Sequence, residues 1–369
     1  MRGGPTLNGV ACHCGGTALT DPEIRYCTTE DGVRIAYYAM GEGPAIVCAS
    51  NVVWSHLGYQ VSFREYHRSR HGQGLGKGRT VVRYDARGTG LSDRSTVDFS
   101  LEAQAADICA VVDHVDIERF ALFGRSQASP GAISFAHRFP ERVSHLILLN
   151  PFAHGRYNVE RSERFRSQRE AAARNWEEYT LISASVGTSF EDSQQVRTLA
   201  SWFRQAMTPE SFQAFWEQAV KWEVGHLLAE IKVPTLVLYS GAFNYPIEQA
   251  RVVATGIPNA SLFIKAARSS YYFWSDEETQ AVEEFLATEG RADVRPRVAA
   301  TPDPPVSVLT ARETEILGLL AMGRSSGEIS HELTLSIRTV GRHITNIYRK
   351  IGARTRADAT AYAIRNGLA

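Results

Sequence analysis

A serine at position 126 sits where a nucleophile could act. Phe120-Ala121-Leu122-Phe123 is a short apolar run of buried-strand length, Gly124-Arg125-Ser126-Gln127-Ala128 follows it, and a helical pattern begins next. A serine hydroxyl is a weak nucleophile at neutral pH. It needs a neighbouring base, normally histidine, held by a carboxylate. A second concentration of chemistry lies near the other end of the chain. Between Ser336 and Arg356 stand Arg338, Arg342, Arg349, Lys350, Arg354 and Arg356, with no Asp or Glu among them. Such a one-sided run suits neutralisation of nucleic-acid phosphates. Cys12-His13-Cys14 offers metal-ligating residue types, but no second ligand pair follows. No metal and no cofactor are therefore expected.

Composition sets the frame for these residues. The 369 residues carry a formal net charge of +0, with 44% hydrophobic and 22% charged residues, which reads as globular and soluble. At zero net charge, nucleic-acid binding must come from a local basic patch. Five cysteines without framework spacing suit a reducing compartment, and no stretch approaches the roughly 20 apolar residues of a membrane span. The expectation is a cytoplasmic protein with no membrane association. Residues 1–20 lack a sustained apolar core and read as a disordered or peripheral tail.

The elements that must position Ser126 alternate between strand and helix. Val33–Met40, Ala45–Ala49, Thr80–Tyr84, Phe120–Phe123, Val143–Leu149, Val233–Tyr239 and Ser261–Lys265 read as strands. Separated by helical patterns, they predict a mostly parallel sheet with helices on both faces, spanning about residues 21–288. The interval 152–228 has no strand-like run and carries Trp176, Trp202, Phe203, Phe212, Phe215, Trp216 and Trp222. It reads as a helical lid whose aromatics pack on the main domain, line a ligand cavity, or do both. Residues 289–306 hold Pro296, Pro302, Pro304 and Pro305 and read as an extended linker.

The last segment, 307–369, reads as a small all-α domain. Thr310 precedes Glu313 by three residues, a capping-box spacing that opens the first helix. A second helix is expected over Ser325–Leu333, a turn at Thr334-Leu335-Ser336, a third helix after Ser336 and a fourth from about Arg356 to Arg365. This is a helix-turn-helix layout. Its motifs are Leu309-Thr310-Ala311-Arg312-Glu313-Thr314-Glu315-Ile316-Leu317, Gly323-Arg324-Ser325-Ser326-Gly327-Glu328-Ile329-Ser330, and Leu335-Ser336-Ile337-Arg338-Thr339-Val340-Gly341-Arg342-His343-Ile344-Thr345-Asn346-Ile347-Tyr348-Arg349-Lys350-Ile351-Gly352. Over its whole length this segment resembles the LuxR-type (GerE-like) DNA-binding domain. The resemblance implies that the third helix enters the major groove of double-stranded DNA and that homodimers bind paired half-sites. It implies DNA contacts at Arg338, Thr339, Arg342, His343, Asn346, Arg349 and Lys350. Thr339, Arg349 and Lys350 would hold phosphates, while Arg342 and Asn346 would reach base edges. Gly341 departs from the longer residue usual there.

The longer segment is similar to the α/β-hydrolase fold, with a mostly parallel sheet and a helical lid. Asp85-Ala86-Arg87-Gly88-Thr89-Gly90-Leu91-Ser92 after one strand, and the Ser126 turn as nucleophile elbow, carry the resemblance. In that fold an acid and then a histidine follow the serine. Here Ser240-Gly241-Ala242-Phe243-Asn244-Tyr245-Pro246-Ile247 offers no carboxylate, and Ser270 stands about where the histidine belongs. No histidine occurs between His226 and His331. Ala128 also replaces the last glycine of the elbow. The fold is therefore expected without ordinary hydrolase activity, as a pseudoenzyme with a degenerate elbow at Ser126.

The first functional reading is a transcription regulator controlled by a small molecule bound beside that elbow. Asn51, Trp54, Ser126, Gln127, Asn244, Tyr245, Ser270 and Tyr271 are the expected ligand contacts, a mix that suits an uncharged or weakly polar ligand. The alternative is an active serine hydrolase or esterase with a regulatory DNA-binding tail, drawing its base from His67, His71 or His154. In a third reading the larger domain is only a dimerisation or partner-binding platform.

Overall fold

The computed structural model describes residues 22–53, 55–58, 78–156, 170–187, 193–240, 247–264, 276–287, 309–321, 324–351 and 359. The predicted tail and linker, Cys12, Cys14, His67, His71 and all but Ala359 of the predicted fourth helix lie outside these residues. The chain divides into two compact units, Met1–Pro296 and Arg297–Ala369. Among the described residues no helix is long and apolar enough to cross a membrane.

Eight strands form one sheet in the first unit: β1 (Arg25–Thr28), β2 (Arg34–Met40), β3 (Ala45–Cys48), β4 (Thr80–Tyr84), β5 (Phe120–Arg125), β6 (Val143–Leu149), β7 (Thr235–Tyr239) and β8 (Ala260–Ile264). Their order is β1-β2-β4-β3-β5-β6-β7-β8. From β4 to β8 every pairing is parallel; β1 and β2 add an antiparallel hairpin at one edge. The hairpin turns at Asp31-Gly32, where Gly32 takes φ +85°. The strands seen in the sequence recur with ends shifted by at most two residues, and β1 is an addition to them.

Two helices fix the serine turn. Helix α1 (Leu101–His114) starts where the Ser100 side chain accepts from the Ala103 N–H, and it buries Ile108, Val111 and Val112 on the sheet. Helix α2 (Ser129–Arg138) follows the elbow directly and is buried along most of its length. With helix α6 (Ile247–Gly256) they cover one sheet face, lined by Val47, Val82, Leu122, Leu146 and Val237. The opposite face, lined by Ile46, Phe123, Ile147 and Leu238, is closed by Val282 and Phe285 of helix α7 (Asp276–Leu286). A bidentate Arg79–Glu283 pair at 2.6 and 2.7 Å ties α7 to the entrance of β4.

Between β6 and β7 lie α3 (Trp176–Gly187), α4 (Ser193–Ala206) and α5 (Pro209–Ala219). The lid aromatics Trp176, Tyr179, Phe212, Phe215, Trp216 and Trp222 pack together, with ring centroids 5.1–6.0 Å apart. They form one cluster with Val52, Val53, Phe99 and Phe152. These rings therefore anchor the lid by packing. The Gly90 N–H donates to the Ala206 carbonyl at 2.8 Å, which attaches the end of α4 to the sheet.

The second unit contains α8 (Ala311–Ala321), α9 (Ser326–Glu332) and α10 (Ile337–Ile351) around Leu309, Ile316, Leu317, Leu320, Ile329, Val340, Ile347 and Ala359. Each start is capped. Thr310 and Glu313 bond reciprocally at α8, Ser325 and Glu328 do so at α9, and the Ser336 hydroxyl accepts from the Thr339 N–H at α10. Thr334 takes φ +51° in the short turn that joins α9 to α10.

Candidate functional site

Ser126 follows β5 in a left-handed conformation, φ +48°, and is fully buried. A non-glycine residue holds such a backbone only when its surroundings enforce it. Here the enforcement is visible. The Ser129 hydroxyl donates to the Ser126 carbonyl at 2.6 Å and accepts from the Phe152 N–H at 3.3 Å. Gly124 lets the returning helix close in: a Cβ there would lie 2.7 Å from the Ala132 Cβ. The turn thus has the sharp strand-to-helix geometry that presents a side chain at the sheet's end. Gln127, the next residue, is 7% exposed, and its amide oxygen has no hydrogen-bond partner among the described residues.

The neighbouring loops are held by a buried carboxylate. Asp85 accepts from the Ser55 hydroxyl at 2.7 Å, the Leu57 N–H at 3.0 Å and the Leu91 N–H at 2.9 Å. Burial pushes its pKa up to about 6 despite those donors. Gly90, at φ +53°, leaves room for this carboxylate, which a Cβ would overlap. Two residues on, Arg87 is buried and forked between Asp107, at 2.8 Å, and Asp31, at 2.6 Å. Arg87 holds Asp31 down at about 2. This network pins the β1–β2 turn, the loop after β4 and α1 together. None of its carboxylates contacts Ser126.

The loop after β3 carries Asn51 and His56, and β3 is the strand beside β5. The His56 ring is buried and stands edge-on to Trp202 of α4, centroids 4.8 Å apart. Burial, and then Arg94, push its pKa below the usual histidine value. At the end of β7 the Ser240 N–H donates to the Asn150 Oδ1 at 3.0 Å and Asn150 Nδ2 donates to the Ser240 hydroxyl at 2.9 Å. Neutral groups bridge the ends of β6 and β7 there.

Of the expected ligand residues, Ser126 and Gln127 share the elbow, and Asn51 lies on the adjacent loop. Trp54, Asn244, Tyr245, Ser270 and Tyr271 lie outside the described residues. His56 was not among the residues singled out in the sequence; its place five residues beyond Asn51 on the same loop was the available signal. His154 is engaged with Glu223 at 2.8 Å.

In the second unit, Arg338, Thr339, Arg342, His343, Asn346, Arg349 and Lys350 all fall on α10. Arg342 is exposed, and Thr339, His343 and Asn346 are partly exposed. A Cβ at Gly341 would meet nothing within 4 Å, so the gap there is open surface. Lys350 differs from its expected part. Its ammonium meets the buried Glu313 carboxylate at 2.7 Å, locking the end of α10 to the start of α8. A phosphate contact by Lys350 requires it to leave that partner. Lys350 and the Thr310 N–H together hold Glu313 down at about 2.

Comparison with known proteins agrees with this division. Residues 51–284 match the alpha/beta hydrolase family, and residues 307–363 match the bacterial regulatory proteins of the luxR family. Transcriptional regulatory protein LiaR of Bacillus subtilis (strain 168) is 48% identical over 64 residues, 17% of this chain and 30% of that protein. The chain spans about a third of the length of the first curated relatives it matches. A hydrolase from Pseudomonas aeruginosa PA01 superposes with TM-score 0.59 at 21% identity, covering 72% of this chain and 98% of that one. Bromoperoxidase from Bacillus anthracis does so with TM-score 0.60 at 14% identity, covering 72% and 99%. These likenesses establish the fold of the first unit.

Proposed function

Because this chain belongs to the alpha/beta hydrolase family and also carries a luxR-family domain, we propose that it is a DNA-binding transcription regulator whose hydrolase-like unit senses a small molecule. The ligand sits beside Ser126 and is not turned over. One observation carries the sensing half. Gln127 presents a buried acceptor without a partner among the described residues, on a turn held in a strained conformation. Buried acceptors are normally satisfied, so a bound hydrogen-bond donor is the missing partner. The sequence supports binding over catalysis, since no histidine occurs between His226 and His331. Asn51, Ser126 and Gln127 are neutral, which favours an uncharged or weakly polar ligand. Trp54, Asn244, Tyr245, Ser270 and Tyr271 complete the proposed contact set.

The DNA half rests on α10 and its capped, packed setting. Arg342 and Asn346 read base edges, Arg338, Thr339, His343 and Arg349 support and hold phosphates, and two copies meet paired half-sites. The protein works in the cytoplasm, where DNA is. Ligand control requires that the small molecule bind one state of the dimer better than the other.

A second reading, an active serine hydrolase with a DNA-binding tail, is favoured by one feature. His56 is a buried imidazole on the loop next to the elbow, kept neutral by its surroundings. Hydrolysis of p-nitrophenyl acetate decides between the two. Turnover that vanishes in both Ser126→Ala and His56→Gln establishes the hydrolase. No turnover above those variants, together with a change in DNA affinity when co-purified small molecules are stripped from the protein, establishes the sensor.

A further inference from the structure

The sheet face closed by α7 carries polar side chains that the elbow does not use. Strand register sets Tyr38 of β2 opposite Arg83 of β4, and Arg83 opposite Cys48 of β3. Neighbouring strands are about 4.8 Å apart. A phenol, a guanidinium and a thiol therefore stand in one row across three strands. Alternation puts the row on the same face as Ile46, Val81 and Phe123. Arg125, at the end of β5, lies on this face one strand further along, and both guanidiniums act on the Cys48 thiol.

Arg83 is the anomaly. Two other arginines of this unit are ion-paired to carboxylates: Arg87 has Asp31 and Asp107, and Arg79 has Glu283. The Arg83 side chain is partly buried and has no ion pair or hydrogen bond to a described residue. The charged and titratable groups that act on it are Cys48 and Tyr38, both neutral at physiological pH and both buried. Withdrawing a guanidinium from water without a counterion is costly. A planar fork of donors matches an oxyanion in two-point contact.

The geometry points to a binding site for a small oxyanion, carboxylate or phosphate, held by the Arg83 fork, with the Tyr38 hydroxyl as a further donor and Arg125 adding positive charge. The site is separate from the elbow and stands whether or not Ser126 meets a ligand. It gives the first unit a second, anionic class of ligand.

The test is thermal unfolding of the full chain in rising sodium phosphate or sodium acetate, at ionic strength held constant with chloride. Wild type should show a saturable rise in the midpoint of the first unit, about 3–6 °C at ten times Kd. Saturation by only one of the two anions assigns the ligand to that class. Arg83→Gln should weaken the response at least tenfold, and Tyr38→Phe a few-fold. Arg83→Lys should fall between wild type and Arg83→Gln, because charge remains and the fork is lost. If Arg83→Gln does not fold, Tyr38→Phe and Arg83→Lys carry the comparison. A rise that never saturates and is equal in wild type and variants is general salt stabilisation and overturns the proposal. No rise in wild type with either anion overturns it as well.

Discussion

The two units keep different things. In the first, the positioning machinery of the fold is intact: the Asp85 clamp, the Arg87 fork and the strained Ser126 turn are all present. After Ser126 the chain has no histidine between His226 and His331. In the second, both the packing and a helix α10 with one buried and one solvent-facing side are in place, with Gly341 as the departure. The difference teaches that a turn built to present a nucleophile is maintained by packing and hydrogen bonds that never touch the reaction.

That contrast can be broken at its strongest point first. Asp107→Ala leaves Arg87 buried with only Asp31, and should cost the first unit about 3–5 kcal/mol. Calorimetry should show its transition falling while that of the second unit stays put; a joint fall would mean the units do not unfold independently. Next, Arg342→Ala should weaken specific DNA binding by about 10–100-fold and relax preference at one base position. A uniform loss across all sequences, seen by gel shift, would make Arg342 a phosphate contact.

The third effect is a pH dependence. The folded pKa of Asp85, about 6, lies above its ordinary value, so the folded state binds this proton first. The resulting stability is complete below about pH 4 and is lost as pH rises through about 6. Between pH 7 and pH 5 the first unit should gain on the order of 1 kcal/mol from this group. Asp85→Asn should flatten that part of the melting profile, and an unchanged slope would remove Asp85 as its source. The smallest effect concerns Lys350. If Glu313 keeps it, Lys350→Met leaves the salt slope of DNA binding unchanged. A slope smaller by about 1 would restore Lys350 as a phosphate contact.

The strands of the parallel core were legible because they are continuous apolar runs bounded by turns. β1 was not: Arg25-Tyr26-Cys27-Thr28 is short, mostly exposed and at the sheet's edge, so hydrophobic pattern carries no trace of it. Elbow and basic helix were legible because residue type and spacing define them. Pairing was not. Nothing local links Lys350 to Glu313, 37 residues away, or Arg87 to Asp31, 56 residues away. The aromatics of the lid were visible as a group, but only their mutual ring contacts decide that they pack. Arg83 looked like an ordinary strand residue until the register placed it between a phenol and a thiol.

The Arg79–Glu283 pair joins residues 204 positions apart in the chain. Among the described residues, the helix side chains that cover the sheet face lined by Ile46, Phe123, Ile147 and Leu238 come from α7, so that cover arrives only when Val282 and Phe285 leave the ribosome. A nascent chain stopped short of α7 would show that face to chaperones and proteases. The helices of the second unit are made after it, from local contacts that form quickly. The order of translation therefore places completion of the first unit just ahead of the second, and premature termination between about residues 265 and 280 should yield an aggregating product.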